Sequence, residues 1–331
     1  MSTTTNIINA VNSVIIDQHE TISAIAPYIT LYQSGLSEEN RPVGAILLLG
    51  PTGSGKTATV EALANHVHGG TKNVLRIDCG EFQMEHEVAK LIGAPPGYLG
   101  HRETVPMLNQ QRLNAVTSER SNLSIVLLDE IEKAASSMNR LLLGVLDKAL
   151  LRLGDNATVN FERSLIIFTS NLGVKEIQRA RINPHKDFAA ARQCAIEAAR
   201  KHFSPEFFNR LDEVCYFRPL NAAAISRILD LELAKLQIHI NTRLGARTIK
   251  LHVTESALDA LTAWGFSEEF GARALRRVIK RKLLFPLAND FDSGVIKDCS
   301  TVTVIHASPG DTELTLIADK QRRRSVAAAG E

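Results

Sequence analysis

Residues 45–57 read AILLLGPTGSGKT, and this stretch restricts the chain to one broad class of fold. Five apolar residues in a row suit a strand buried on both faces. The eight that follow, Gly50, Pro51, Thr52, Gly53, Ser54, Gly55, Lys56 and Thr57, fit the spacing GxxxxGK[ST]. Glycines at those positions let backbone N–H groups wrap phosphates, Lys56 reaches the outer phosphates, and Thr57 holds magnesium. A glycine-rich turn alone could carry the same letters; a strand before it and a helix after it decide for a phosphate cradle.

Four further apolar runs follow: NVLRID (73–78), SIVLLD (124–129), SLIIFTSN (164–171) and EVCYF (213–217). Short runs separated by helical segments read as a parallel sheet covered on both faces. Crossover helices are expected over 57–68, 104–118, 136–150 and 187–201. The predicted fold class is α/β, a parallel five-stranded sheet sandwiched by helices. After RPL (218–220) the texture changes. NAAAISRILDLELAKLQIHINTR is a long amphipathic helix, TIKLHV a strand, and TESALDALTAWG a helix opening on a capping-box-like Thr254. ARALRRVIKRKLLFPLAND is another helix, and TVTVIHA and ELTLIA are short strands. The expected division is a large domain over 1–218 with 1–12 flexible, a small mixed α/β domain over 219–318, and a flexible tail over 319–331. Pro219 is the expected hinge.

SIVLLDEIEK (124–133) ends its strand in two acids. That puts Asp129 at the carboxyl edge of an open sheet, the usual ligand position. Asp129 would orient magnesium and Glu130 would polarise an attacking water. Alone, such acids suit a solvated strand end. Beside a phosphate loop they imply hydrolysis of the bound nucleotide rather than storage.

Charge narrows the partners. The net charge of the 331 residues is 38 − 36 = +2, which gives no electrostatic case for nucleic acid or a membrane. The basic run RRR (322–324) reads as solvated. The four cysteines form no CxxC pair and suit a reducing compartment. HVH (66–68) lies before GG and reads as a helix end rather than a zinc site. The start, MSTTTNIINA, is no secretion signal, and no apolar run nears the ~18 residues of a membrane span. A soluble, cytoplasmic protein is expected.

Several segments resemble one family closely: IIDQHETI (15–22), NRPVG (40–44), LIGAPPGYLG (91–100), VLLDEIEKA (126–134), TSNLG (169–173), FSPEFFNRLDEV (203–214) and FGARALRR (270–277). On these the chain is similar, from about residue 15 to 320, to the AAA+ ATPases of the Clp type. Within them it resembles the second ATPase module of ring-forming protein disaggregases and unfoldases, here as a stand-alone module. The resemblance implies an AAA+ P-loop fold with the small domain as a lid, ATP and Mg2+ as cofactors, and a homo-oligomeric, hexameric ring acting on polypeptide substrates, with an adaptor as a further partner. By position, Asn171 resembles the sensor that helps place the water, and Arg210 the arginine finger that reaches a neighbouring subunit's nucleotide. Arg273 resembles the second sensor on the small domain, and Ile15 and Ile16 would line the adenine base. Tyr98 and Leu99 would grip substrate on a pore loop, where an aromatic ring can hold any extended polypeptide through apolar area.

The chain departs from the family at three places. Asp17 stands where glycine is expected in a V-G-Q segment, so the local turn is expected to differ. Residues 147–161, DKALLRLGDNATVNF, replace most polar residues of a GRLTDGQGR-like loop, which puts secondary pore contacts in doubt. Residues 174–201 lack the Ile-Gly-(Leu/Phe) tripeptide that docks a barrel protease. Threading of polypeptide leads, with two alternatives open: a nucleotide-switched scaffold that threads nothing, and an unfoldase coupled to a protease.

Overall fold

The computed structural model describes residues 2–93, 105–267, 270–298, 300–308 and 310–319. The chain divides into two units, Met1–Pro219 and Leu220–Glu331. In the larger unit, α1 (Thr3–Asn12) and α2 (His19–Gln33) precede β1 (Gly44–Leu49), which leads through the glycine loop into α3 (Lys56–His68). Next come β2 (Leu75–Asp78), the short helices α4 (Ala89–Ile92) and α5 (Gln110–Ala115), β3 (Ser124–Asp129) and α6 (Ser136–Lys148). A hairpin of β4 (Leu150–Arg152) and β5 (Thr158–Asn160) stands before β6 (Ser164–Ser170). Then α7 (Val174–Arg179), α8 (Phe188–His202) and α9 (Pro205–Phe208) lead to β7 (Glu213–Tyr216).

All five expected strands form one parallel sheet, in the order β2-β3-β6-β1-β7. The apolar runs are continuous because both faces are covered, and alternate residues point to opposite faces. Leu47, Leu49, Val126, Leu128, Ile166 and Phe168 share a core with Met138 and Leu142 of α6 and Ala191 and Ala195 of α8. Ile46, Leu48, Ile125, Leu127, Leu165 and Ile167 share another with Ile22 and Ile25 of α2 and Val60 and Leu63 of α3.

Two local expectations change. The opening segment, expected to be flexible, is helix α1: Ile7 and Val11, one turn apart, are buried in the second core. The helix expected over 104–118 is reduced to α5, because the Asn109 side chain accepts the Arg112 N–H at 2.8 Å and caps the helix there. Tyr98 and Leu99 lie outside the described residues, as does the tail beyond Asp319.

The smaller unit contains α10 (Ala222–Leu244), β8 (Lys250–Val253), α11 (Glu255–Gly265), α12 (Ala272–Val278), α13 (Phe285–Asp292), β9 (Thr301–Ile305) and β10 (Thr315–Asp319). Its sheet, β10-β9-β8, pairs β8 and β9 parallel and β9 and β10 antiparallel. Ile240, Ile249, Leu287, Ile296 and Val302 form a core. Thr254 precedes α11, but its hydroxyl donates to the Val304 carbonyl at 3.0 Å instead of capping the helix. Between α12 and α13 the helix widens to a π-helix over Ile279–Leu284. Pro286 explains this: it lacks an N–H and its ring crowds the preceding turn, so an ordinary α-helical turn cannot close there.

Candidate nucleotide site

Strands β1 and β3 flank β6 in parallel, so their carboxyl ends release three functional segments at one sheet edge. These are the glycine loop 50–57, Asn171, and the acids Asp129 and Glu130. Open α/β sheets bind ligands at this edge.

The loop closes onto α3, whose first residue is Lys56. Gly55 sits at φ +107, a conformation that L side chains rarely adopt, and a Cβ there would meet nothing within 4 Å. The loop therefore faces open space at a helix N-terminus, a fit for an anion. Lys56 is 8% exposed, and its Nζ donates to the carbonyls of Gly50 at 2.5 Å and Pro51 at 3.0 Å. It also donates to Asn171 Oδ1 at 3.0 Å, and Thr52 Oγ1 reaches the same oxygen at 3.5 Å. Thr57 follows in the first turn of α3. Loop and Asn171 are thus one hydrogen-bonded unit, and Thr57 and Asp129 are the residues that could hold a magnesium ion beside bound phosphates.

The acids are braced from β6. The Thr169 hydroxyl donates to Asp129 Oδ1 and accepts the Glu130 N–H, the latter at 3.1 Å. Glu130 takes φ 56 and ψ 47, a left-handed conformation uncommon for a non-glycine residue. Its carboxylate forms an ion pair with Lys133, and that hydrogen bond holds the Lys133 ammonium above its ordinary pKa. Glu132 accepts the Asn171 N–H at 3.1 Å through Oε1, while its Oε2 is buried without a hydrogen-bond partner.

Ile15 and Ile16 are each 7% exposed, and Ile15 belongs to the core shared with Ile7 and Ile22. Asp17 adopts φ 62, a left-handed conformation that glycine takes up readily. Aspartate tolerates this region because its short polar side chain can bond locally. Gln18 is 3% exposed. Its amide nitrogen donates to Ser54 O at 3.3 Å and Arg218 O at 3.0 Å, and its oxygen accepts the Arg218 N–H at 3.2 Å. One side chain thereby joins the glycine loop to the end of the larger unit.

Arg210 lies apart from this group. It follows α9, where buried Phe207 stacks edge-on against Phe168 with ring centroids 5.4 Å apart, and its guanidinium pairs with Asp147 near the end of α6. Arg273 is exposed in the first turn of α12, in the smaller unit. The loop expected over 147–161 is largely the β4–β5 hairpin, with Leu151 and Val159 buried in the first core. Sequence reading passed over Gln18, Glu132, Lys133, Asp147 and Thr169. Four of these lay inside the family-like motifs, Gln18 in IIDQHETI, Glu132 and Lys133 in VLLDEIEKA and Thr169 in TSNLG, and Asp147 opens the segment 147–161; apart from the Lys133–Glu130 pair, nothing local marks which residue each one touches.

The AAA domain (Cdc48 subfamily) family model matches residues 41–214, and the C-terminal, D2-small domain of ClpB protein matches 220–304. The chain is 37% identical over 325 residues to the chaperone protein ClpB of Aquifex aeolicus, covering 96% of this chain and 31% of that one. With the Meiothermus ruber ClpB it shares 39% over 284 residues, 86% of this chain and 32% of the other. It therefore spans about a third of the length of these relatives. Among solved structures, closed-state Hsp104 with ATPγS and casein superposes with a TM-score of 0.81 at 29% identity, over 95% of this chain and 51% of that one. The extended S. cerevisiae Hsp104–casein complex gives 0.80 at 30% identity, over 91% and 50%. With a family model spanning more than half of its residues, the chain belongs to the AAA family, Cdc48 subfamily, and its second unit is of the ClpB D2-small type.

Proposed function

We propose that the chain is an ATP-hydrolysing motor module that assembles as a homo-oligomeric, hexameric ring in the cytoplasm and remodels polypeptides by drawing them through a central pore. The observation that carries the reading is the single sheet edge holding the glycine loop, Lys56, Asp129, Glu130 and Asn171, in a chain of this family. Lys56 and the loop N–H groups hold the outer phosphates. Thr57 and Asp129 would hold a magnesium ion, which would supply positive charge beside the phosphates. Glu130 takes a proton from the attacking water, which Asn171 helps to place. Arg210 completes a neighbouring subunit's site, where an arginine finger stabilises charge on the transferred group. Its exposed position beyond α9 and its surface pairing with Asp147 suit a residue that exchanges partners. Arg273 serves as the second sensor, Ile15 and Ile16 border the base, and Tyr98 and Leu99 grip substrate. The polypeptide substrate is supported by the casein complexes of Hsp104.

Glu130→Gln tests the hydrolytic reading. It should bind ATP and assemble while hydrolysing almost none, measured by nucleotide binding, sedimentation and phosphate release. Wild-type turnover in that variant overturns the assignment.

A further inference from the structure

Pairing of β3 with β6 sets Leu128 beside Phe168. The next residues, Asp129 and Thr169, therefore stand side by side at the edge of the sheet. Thr169 is 1% exposed, and its hydroxyl carries one hydrogen. That hydrogen goes to Asp129 Oδ1, which leaves a lone pair to accept the Glu130 N–H at 3.1 Å. Both bonds have a fixed direction, because a carboxylate only accepts and an amide N–H only donates.

The second bond falls at the one peptide in this segment with an uncommon backbone, Glu130 at φ 56. A left-handed residue persists only where its surroundings over-determine it, and it turns the chain sharply out of the strand direction. Without an acceptor for its N–H, Glu130 would have less to hold it in this conformation. With it, both acids hang from one buried hydroxyl.

We propose that Thr169 is a positioning residue for the hydrolytic reaction, fixing the Asp129 carboxylate and the Glu130 backbone relative to each other. The role rests on the ATPase reading above. Thr169 touches no reacting atom; it acts through its two neighbours, so its loss should lower kcat more than nucleotide affinity. Misplacing a catalytic group by about 1 Å can cost about 100-fold in rate.

The test compares Thr169→Val, which keeps the shape and removes the hydroxyl, with Thr169→Ser, which keeps the hydroxyl. Valine should lower kcat by roughly 10- to 100-fold, with the dissociation constant of a fluorescent ATP analogue changed less than about threefold; serine should restore most of kcat. Hydrogen exchange in nucleotide-free protein gives a second readout: the Glu130 amide should lose protection in Thr169→Val and keep it in Thr169→Ser. If valine prevents folding, Thr169→Ala removes the same hydroxyl without added bulk and should behave as valine is expected to.

Glu130→Gln is the control. If it turns over like wild type, the ATPase reading falls and this role falls with it. If it is inactive while Thr169→Val keeps wild-type kcat or unchanged Glu130 exchange, the positioning role alone is overturned. Equal losses in valine and serine would also overturn it, by assigning the effect to packing.

Discussion

Replacing Gln18 by leucine should destabilise the larger unit far more than a change near the start of a chain normally would. Gln18 is 3% exposed and satisfies three backbone groups: Ser54 C=O, Arg218 C=O and Arg218 N–H. Leucine fills similar space and satisfies none. A typical net contribution is about 1 kcal/mol per hydrogen bond, and buried backbone groups left unpaired cost somewhat more, so the loss should be about 2–4 kcal/mol. At about 2–4 °C per kcal/mol for a unit of this size, the melting temperature should fall by roughly 5–15 °C. Gln18→Glu sharpens the test. Its carboxylate can still accept the Arg218 N–H but cannot donate, so its other oxygen faces two carbonyl oxygens. The neutral acid can donate to one of them, so folding should favour it and raise the folded pKa above the ordinary value of about 4.3. Relative stability is then greatest at low pH and is lost as pH rises through the folded pKa. The melting gap between wild type and Gln18→Glu should therefore narrow on acidification, while the gap for Gln18→Leu stays constant. Calorimetry across pH measures both. A Gln18→Leu protein melting within about 1 °C of wild type, less than any of these bonds should cost, would refute the reasoning.

Other perturbations have equally definite outcomes. Gly173→Ala should lower the melting temperature by roughly 6 °C or more, because Gly173 has φ +88 and a Cβ there would lie 2.7 Å from the Ala195 Cβ and closer still to its Cα. Arg210→Ala should cut steady-state ATP hydrolysis by about 1,000-fold, and mixing it with inactive Glu130→Gln should restore phosphate release, since mixed rings contain interfaces with both residues intact. If the mixture stays inactive, Arg210 does not act across an interface. Burial lowers the His68 pKa, so the folded state resists the proton that the unfolded chain accepts below about 6.5. The stability this provides is present above that value and declines as pH falls through it toward the folded pKa; urea midpoints should show this decline reduced in His68→Gln. Tyr98→Ala should lower polypeptide remodelling per ATP hydrolysed, measured on a fluorescent unfolded substrate, whereas a scaffold that threads nothing would show no change in that ratio.

The strands were legible because each must bury both faces, which leaves a run such as AILLL or SIVLLD with no polar position in its middle. The glycine loop and the paired acids were legible for a related reason: their spacing is set by chemistry within a few residues. What escaped depends on partners distant in sequence. Thr169 meets Asp129 across 40 positions and Gln18 meets Arg218 across 200, and neither pairing leaves a mark in its own neighbourhood. The β4–β5 hairpin escaped because its strands are three residues each, too short for alternation to stand out. Helix α1 was obscured by its polar opening, although the spacing of Ile7 and Val11 was there to be read. Asp17 shows the same limit from the other side, since the residue type alone did not reveal its left-handed backbone.

The π-turn over Ile279–Leu284 has a consequence for how this gene can tolerate length changes. An α-helix advances about 100° per residue, so one extra residue absorbed in a wide turn rotates everything beyond it by that angle. Before the turn Leu275 is buried, and within it Ile279 and Leu283; after it, Leu287 is buried with Ile240, Ile249 and Val302, and Phe291 packs against the same group. The two apolar stripes are matched only at the present phase. Deleting a single codon within 279–284 would remove the residue that the wide turn absorbs, leave Pro286 crowding a tighter turn, and swing Leu287 and Phe291 off their core. This short segment is thus the frame-setting element of the smaller unit.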